Sequence, residues 1–232
     1  MNIFVISGDI DFGLIHAGNR DDVLACLQNA VGRPVAQGWV VPRLEPQIYR
    51  KKLYTMWVDC LASVVPNGTD ILLNRRARDL LSPLLLKSGE LLPVYLDSQD
   101  YHWFNCVTFL DGVVDNANTK GSRFKCGDVE VWDRVTDWAF YADRLTTAPA
   151  IFRVPEDPFR RLFCSDALVN KIRSSDLIGF DIKKVWMSES VATDEPPMSF
   201  PAEFDFSSDY ERRDEIKAKR RAAMAALAKR AG

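Results

Sequence analysis

From Glu90 onward the chain changes texture, and that change restricts its fold more than any other feature. Residues 91–96, 103–110, 129–132 and 151–154 are short runs rich in branched and aromatic side chains. Turn-forming clusters separate them, among them Asp111-Gly112 and residues 116–121. Short strands cut by turns pair with their neighbours across tight connections, so they build antiparallel sheet. With a few helical segments alongside, the expected class is α+β, mostly antiparallel sheet with a few helices, plus a basic helix at the C-terminus.

The helical segments follow from spacing and caps. Residues 3–6 read as a first strand that ends at Gly8. Asn19 suits the cap of a helix with Asp21 and Asp22 in its first turn, where carboxylates meet the positive helix end. Val23, Leu24, Leu27, Ala30 and Val31 then fall at helical spacing, and Gly32 with Pro34 stops the run. Residues 33–47 hold Pro34, Pro42 and Pro46 and are expected to be extended or irregular. Residues 54–65 fit helix or strand, closed by a turn at Pro66-Asn67-Gly68.

Asn74 opens a second helix with a stripe of Leu80, Leu81, Leu84 and Leu85, despite Pro83. Ser165 or Asp166 caps a short helix carrying Ala167, Leu168, Lys171 and Ile172. Gly179 ends that segment, and residues 180–186 are the last expected strand. Residues 187–208 have no hydrophobic period and contain Pro196, Pro197 and Pro201, so they read as a linker or arm. Ser208-Asp209-Tyr210-Glu211 matches a capping box, and the Ala-, Arg- and Lys-rich stretch after it predicts a helix over 209–229. The expected organisation is one α+β domain over 1–186, an arm over 187–208 and a basic helix within 209–232.

Composition narrows the class. The 232 residues carry 30 Lys and Arg against 32 Asp and Glu, and 47% of them are hydrophobic. That excludes a wholly disordered chain, a collagen-like fibre and a strongly basic nucleic-acid binder. No window approaches the ~20 apolar residues of a membrane-spanning helix. The N-terminus lacks a basic stretch and meets Asp9 and Asp11 early, so no signal peptide is expected. Cys26, Cys60, Cys106, Cys126 and Cys164 are scattered and odd in number, as expected of free thiols in a reducing cytoplasm. The charge is unevenly spread. Residues 211–232 carry eight basic and three acidic side chains, whereas the 210 residues before them carry 22 and 29.

Catalytic chemistry finds few parts. His16 and His102 are the two histidines. His102 and Cys106 would form a base and thiol on a helix, but their stretch reads as strand, which separates them by ~13 Å at ~3.3 Å per residue. Core packing is the plainer role for Cys106, with a distant partner such as His16 left open. Metal motifs are missing, and a calcium loop counted from Asp115 fails at Ala117 and Lys120. Gly-rich phosphate loops and a nucleophile elbow are missing too, so no cofactor is expected. The pairs Asp97/Asp100, Asp111/Asp115 and Asp157/Asp166 read as solvated carboxylates.

Binding finds more. Asp97, Asp100, Tyr101, His102 and Trp103 crowd together between two expected strands, with Asp111 further on. Aromatic anchors ringed by carboxylates suit a protein partner with a basic surface, such as a nuclease cleft. The plainer alternative is that Tyr101 and Trp103 cover a sheet edge. The basic helix lacks interleaved aromatics and shows a thin stripe of Ile216, Met224 and Leu227. Docking on the acidic body, in its own chain or in a neighbour, explains it as well as nucleic acid does.

The order of these signals resembles a known family. Asp70-Ile-Leu-Leu and Asp79-Leu-Leu lead into Leu91-Leu-Pro-Val94 and Tyr101-His-Trp-Phe-Asn105-Cys-Val, with Asp111 after it. Ile151-Phe-Arg153, Phe163-Cys-Ser-Asp166 and Gly179-Phe180 running to Trp186 follow. Residues 38–186 are in this respect similar to a widespread bacterial family of immunity proteins from polymorphic-toxin systems. The opening usual in that family is only loosely matched, by Val41-Pro-Arg-Leu44, and the chain after Trp186 lies outside the resemblance. The resemblance implies a non-enzymatic protein that binds and neutralises a cognate toxin, and it carries over no catalytic residue; with the free-thiol reading above, a cytoplasmic immunity protein is expected. Two rival expectations are a thiol hydrolase using Cys106 or Cys164, and a nucleic-acid-associated regulator acting through the terminal helix.

Overall fold

The computed structural model describes residues 1–8, 14–16, 32–47, 59–65, 68–96, 99–126, 129–158 and 160–188. The chain divides into two compact units, Met1–Ser188 and Glu189–Gly232, and all described residues belong to the first. The helix expected after Asn19, the arm over 187–208 beyond Ser188 and the basic helix lie outside the described residues.

The described residues form an α+β fold, mostly antiparallel sheet with two helices. Its centre is β1 (Asn2–Gly8), flanked by β11 (Leu162–Ser165) and β12 (Phe180–Met187), with β10 (Ile151–Phe152) beyond β11. Phe4 and Ile6 enter one apolar cluster and Ile3 a second, so both faces of β1 are covered. That explains why its sequence is an apolar run with weak alternation.

A six-stranded closed barrel packs beside this sheet. Its order is β2 (Leu14–His16), β3 (Arg43–Gln47), β6 (Gly89–Leu96), β7 (Gln99–Cys106), β5 (Gly68–Leu73) and β4 (Cys60–Val65). Two of its joints, β2 with β4 and β3 with β6, are parallel. Closure leaves the barrel no free edge. A separate hairpin, β8 (Lys120–Cys126) with β9 (Val129–Asp137), forms its own two-stranded sheet.

Helix α1 (Arg75–Leu85) begins where expected. Asn74 is extended, and its side chain accepts the Ala77 amide at 2.9 Å. Its buried face is Ala77, Leu81 and Leu85, one residue per turn, with Leu80 and Leu84 at the rim. Pro83 has no N–H for the Asp79 carbonyl, and the Ser82 hydroxyl donates to that oxygen at 3.4 Å instead. In α2 (Asp166–Ser174), Ser165 is the cap residue without a side-chain cap bond. The Asp166 carboxylate accepts both the backbone and side-chain N–H of Asn2, at 2.8 and 2.9 Å, which ties the helix start to β1.

Several boundaries differ from expectation. The strand expected over 103–110 runs instead over Gln99–Cys106, because β7 pairs with β6 along eight residues from Leu96↔Gln99 to Gly89↔Cys106. It ends where the Val107 and Thr108 amides both turn to the Ser88 carbonyl, at 3.0 Å. A Cβ on Gly89 would overlap the Asn105 carbonyl, so this corner requires glycine. The ambiguous 54–65 stretch is strand over Cys60–Val65, and the 116–121 turn is already strand by Lys120.

Candidate functional site

The β6–β7 hairpin carries most of the expected site, and pairing decides which side chains it presents. Residues opposite one another share a face. Leu92↔Trp103 and Val94↔Tyr101 point into the barrel, while Pro93↔His102 and Tyr95↔Asp100 point outward. Tyr101 and Trp103 are 2% and 1% exposed. This corrects the expectation that their rings anchor a partner. Trp103 packs on Trp39 with ring centroids 5.8 Å apart, and Trp39 donates from Nε1 to the Pro93 carbonyl. The Tyr101 and Trp103 rings belong to the interior, not to a sheet edge.

The outward face holds a different aromatic residue. Tyr95 is 49% exposed and stands opposite the exposed Asp100. Sequence reading missed Tyr95, although its signal was present: Leu92, Val94 and Leu96 alternate with Pro93 and Tyr95. Asp97 lies outside the described residues. Asp111 is exposed but sits elsewhere, in the turn after the Phe109–Arg153 bridge. Among the described residues of the expected set, Asp100 and His102 share the outward face.

His102 is half-buried there. Its Nε2 lies 3.2 Å from an Arg78 guanidinium nitrogen, and Arg78 is itself paired with Asp79 at 2.6 Å. A guanidinium can only donate, so Nε2 accepts and the ring proton is assigned to Nδ1. That atom is buried and has no hydrogen-bond partner among the described residues. Burial, and then the Arg78 charge, hold the His102 pKa below its ordinary value.

A second cluster of arginines and aromatics, also missed in the sequence, is formed by the β8–β9 hairpin and the Arg160-Arg161 pair just before β11. The Arg123 guanidinium sits 3.9 Å over the Trp132 ring and pairs with Glu130 at 3.2 Å. Arg160 lies 5.3 Å over Phe124 and bonds Asp133, holding that carboxyl below the usual carboxylate range. Arg161 bonds the buried Asp157, yet burial outweighs that charge and pushes the Asp157 carboxyl up. In the neighbouring turn Asp115 accepts from Asn118 and Ala117, so its carboxylate closes an Asx turn.

Three described thiols are interior. Cys60, Cys106 and Cys164 are fully buried. The Cys106 thiol faces the Ser88 and Thr108 carbonyls at 3.7 Å, and burial, with Asp166, pushes the Cys164 thiol well above its ordinary value. Neither is presented to a substrate as the hydrolase expectation requires. His102 and Cys106 share one face of β7, about 13 Å apart at ~3.3 Å per residue. Among the described residues, no three or more His, Cys, Asp and Glu side chains gather as a metal site, and no helix is long and apolar enough to cross a membrane.

Charge is distributed differently from the expected acidic body. Residues 1–188 carry 22 basic and 23 acidic side chains, whereas 189–210 carry six acidic and none basic. The negative excess before the terminal stretch is therefore concentrated in the arm. No protein-family model matches this chain, and no curated protein matches it.

Proposed function

We propose that this is an immunity protein, which binds a cognate toxin and neutralises it by covering the toxin's active surface, without catalysing a reaction. The observation that carries the reading is the outward face of the β6–β7 hairpin. There Tyr95 projects beside Asp100, Pro93 and His102 from a strand pair locked along eight residues. An exposed aromatic ring on a rigid element, with a carboxylate beside it, suits the anchor of a protein contact. The motifs of the family resemblance lend support, since they fall on β6, β7, β10, the β11–α2 junction and β12.

The test is capture of the tagged chain from its native cells at moderate salt, followed by co-expression with whatever it retains. A stoichiometric partner that arrests growth alone, and is harmless beside this chain, is the expected result. Tyr95→Ala with Asp100→Ala then loses protection while remaining folded. Retention of nucleic acid alone, or of no toxic partner, overturns the reading. Unchanged protection by the double variant removes this face but not the function.

A further inference from the structure

The β8–β9 hairpin leaves a row of backbone groups open. Among the described residues β8 pairs with β9 alone, and residues 120–125 are all exposed. Pairing type shows which groups face out. In an antiparallel pair, opposed residues exchange either both backbone bonds or none. The Trp132 amide donates to the Glu156 carbonyl at 2.8 Å, so it points away from β8. Arg123↔Trp132 is therefore a non-bonded pair, and so is Lys125↔Glu130, two residues on. The N–H and C=O groups of Arg123 and Lys125 consequently point to the free edge.

Side chains specify what that edge accepts. The edge strand carries Lys120, Arg123 and Lys125 and no acidic residue. Arg123 and Lys125 share one face, where Trp132, Glu130 and Asn116 hold the Arg123 guanidinium. The other face presents Phe124, 41% exposed, with Arg160 over its ring. Edge cations are also a known guard against unwanted pairing. They repel the β8 of a second copy and admit a strand of opposite charge. The acidic residues of β9, Glu130, Asp133 and Asp137, disfavour a phosphate backbone in the same place.

We propose that the β8 edge takes up an extended segment of a protein partner by strand addition, and that this segment alternates acidic with apolar residues. Its backbone pairs with Arg123 and Lys125, its carboxylates meet their cationic side chains, and its apolar face covers Phe124. This is independent of the immunity reading.

The test uses the full chain and a short fluorescent peptide of alternating glutamate and valine, with a scrambled peptide of the same composition as control. Expected are saturable binding to the alternating peptide, slowed hydrogen exchange at the Arg123 and Lys125 amides, and binding about fivefold weaker in Lys125→Glu, which reverses one cross-strand charge pair. Lys125→Pro removes an outward N–H without touching the ladder to β9, and is expected to lose the peptide. Equal binding of the scrambled peptide, unchanged exchange at saturation, or no binding overturns the proposal. So does a single-stranded oligonucleotide that binds in the peptide's place.

Discussion

At the scale of single residues, His102 couples this surface to pH. Its pKa in the fold lies below the ordinary 6.5, so the unfolded chain binds the proton more readily. Its contribution to stability is complete above pH 6.5 and is lost as pH falls from there towards the folded value. His102→Gln is expected to flatten that part of the stability curve, as read by denaturant unfolding between pH 7 and pH 5. An unchanged slope would place the titration elsewhere. The sequence grouped His102 with Asp100, and the two do share the outward face of the β6–β7 hairpin. It gave no sign of Arg78, which approaches only because α1 packs across β7. Tyr101 and Trp103 were misjudged because residue type alone does not say which face of a strand is inside.

Elements were more legible than faces. The Asn74 cap, the Pro83 helix, the Ser165–Asp166 helix start and the strands around Leu92, Ile151 and Ile182 all follow from local chemistry. What local chemistry did not show was partnership. β7 begins at Gln99 because β6 is there to pair with it, and β8 is almost wholly exposed, so it lacks the buried alternation that marks a strand. The face assignment along β6–β7 has a direct check. Trp103→Ala removes a ring from the barrel interior and is expected to cost ~3–5 kcal/mol. Tyr95→Ala, on the same hairpin but outside, is expected to stay within about 0.5 kcal/mol of the unaltered protein. Thermal and denaturant unfolding of the two variants separate them; comparable losses would mean the register is wrong.

For the whole molecule, the distribution of charge decides how a partner is approached. A net charge of −2 hides a nearly balanced stretch over 1–188, six acidic and no basic residues over 189–210, and a basic excess over 211–232. Long-range steering acts through summed fields, and a balanced surface supplies little of one. If the proposed immunity function holds, contact through Tyr95 and Asp100 would therefore depend on local fit, while electrostatic acceleration towards a basic toxin would arise from the acidic residues of 189–210. Replacing Glu189, Asp194, Glu195, Glu203, Asp205 and Asp209 by their amides is expected to leave the dissociation rate of the proposed toxin complex unchanged. The association rate should then vary by less than about threefold between low and high salt. Stopped-flow mixing of the altered chain with toxin measures both rates. A steep salt dependence that survives the replacement would assign the steering field to residues 1–188, and so to carboxylates that act locally rather than by their sum.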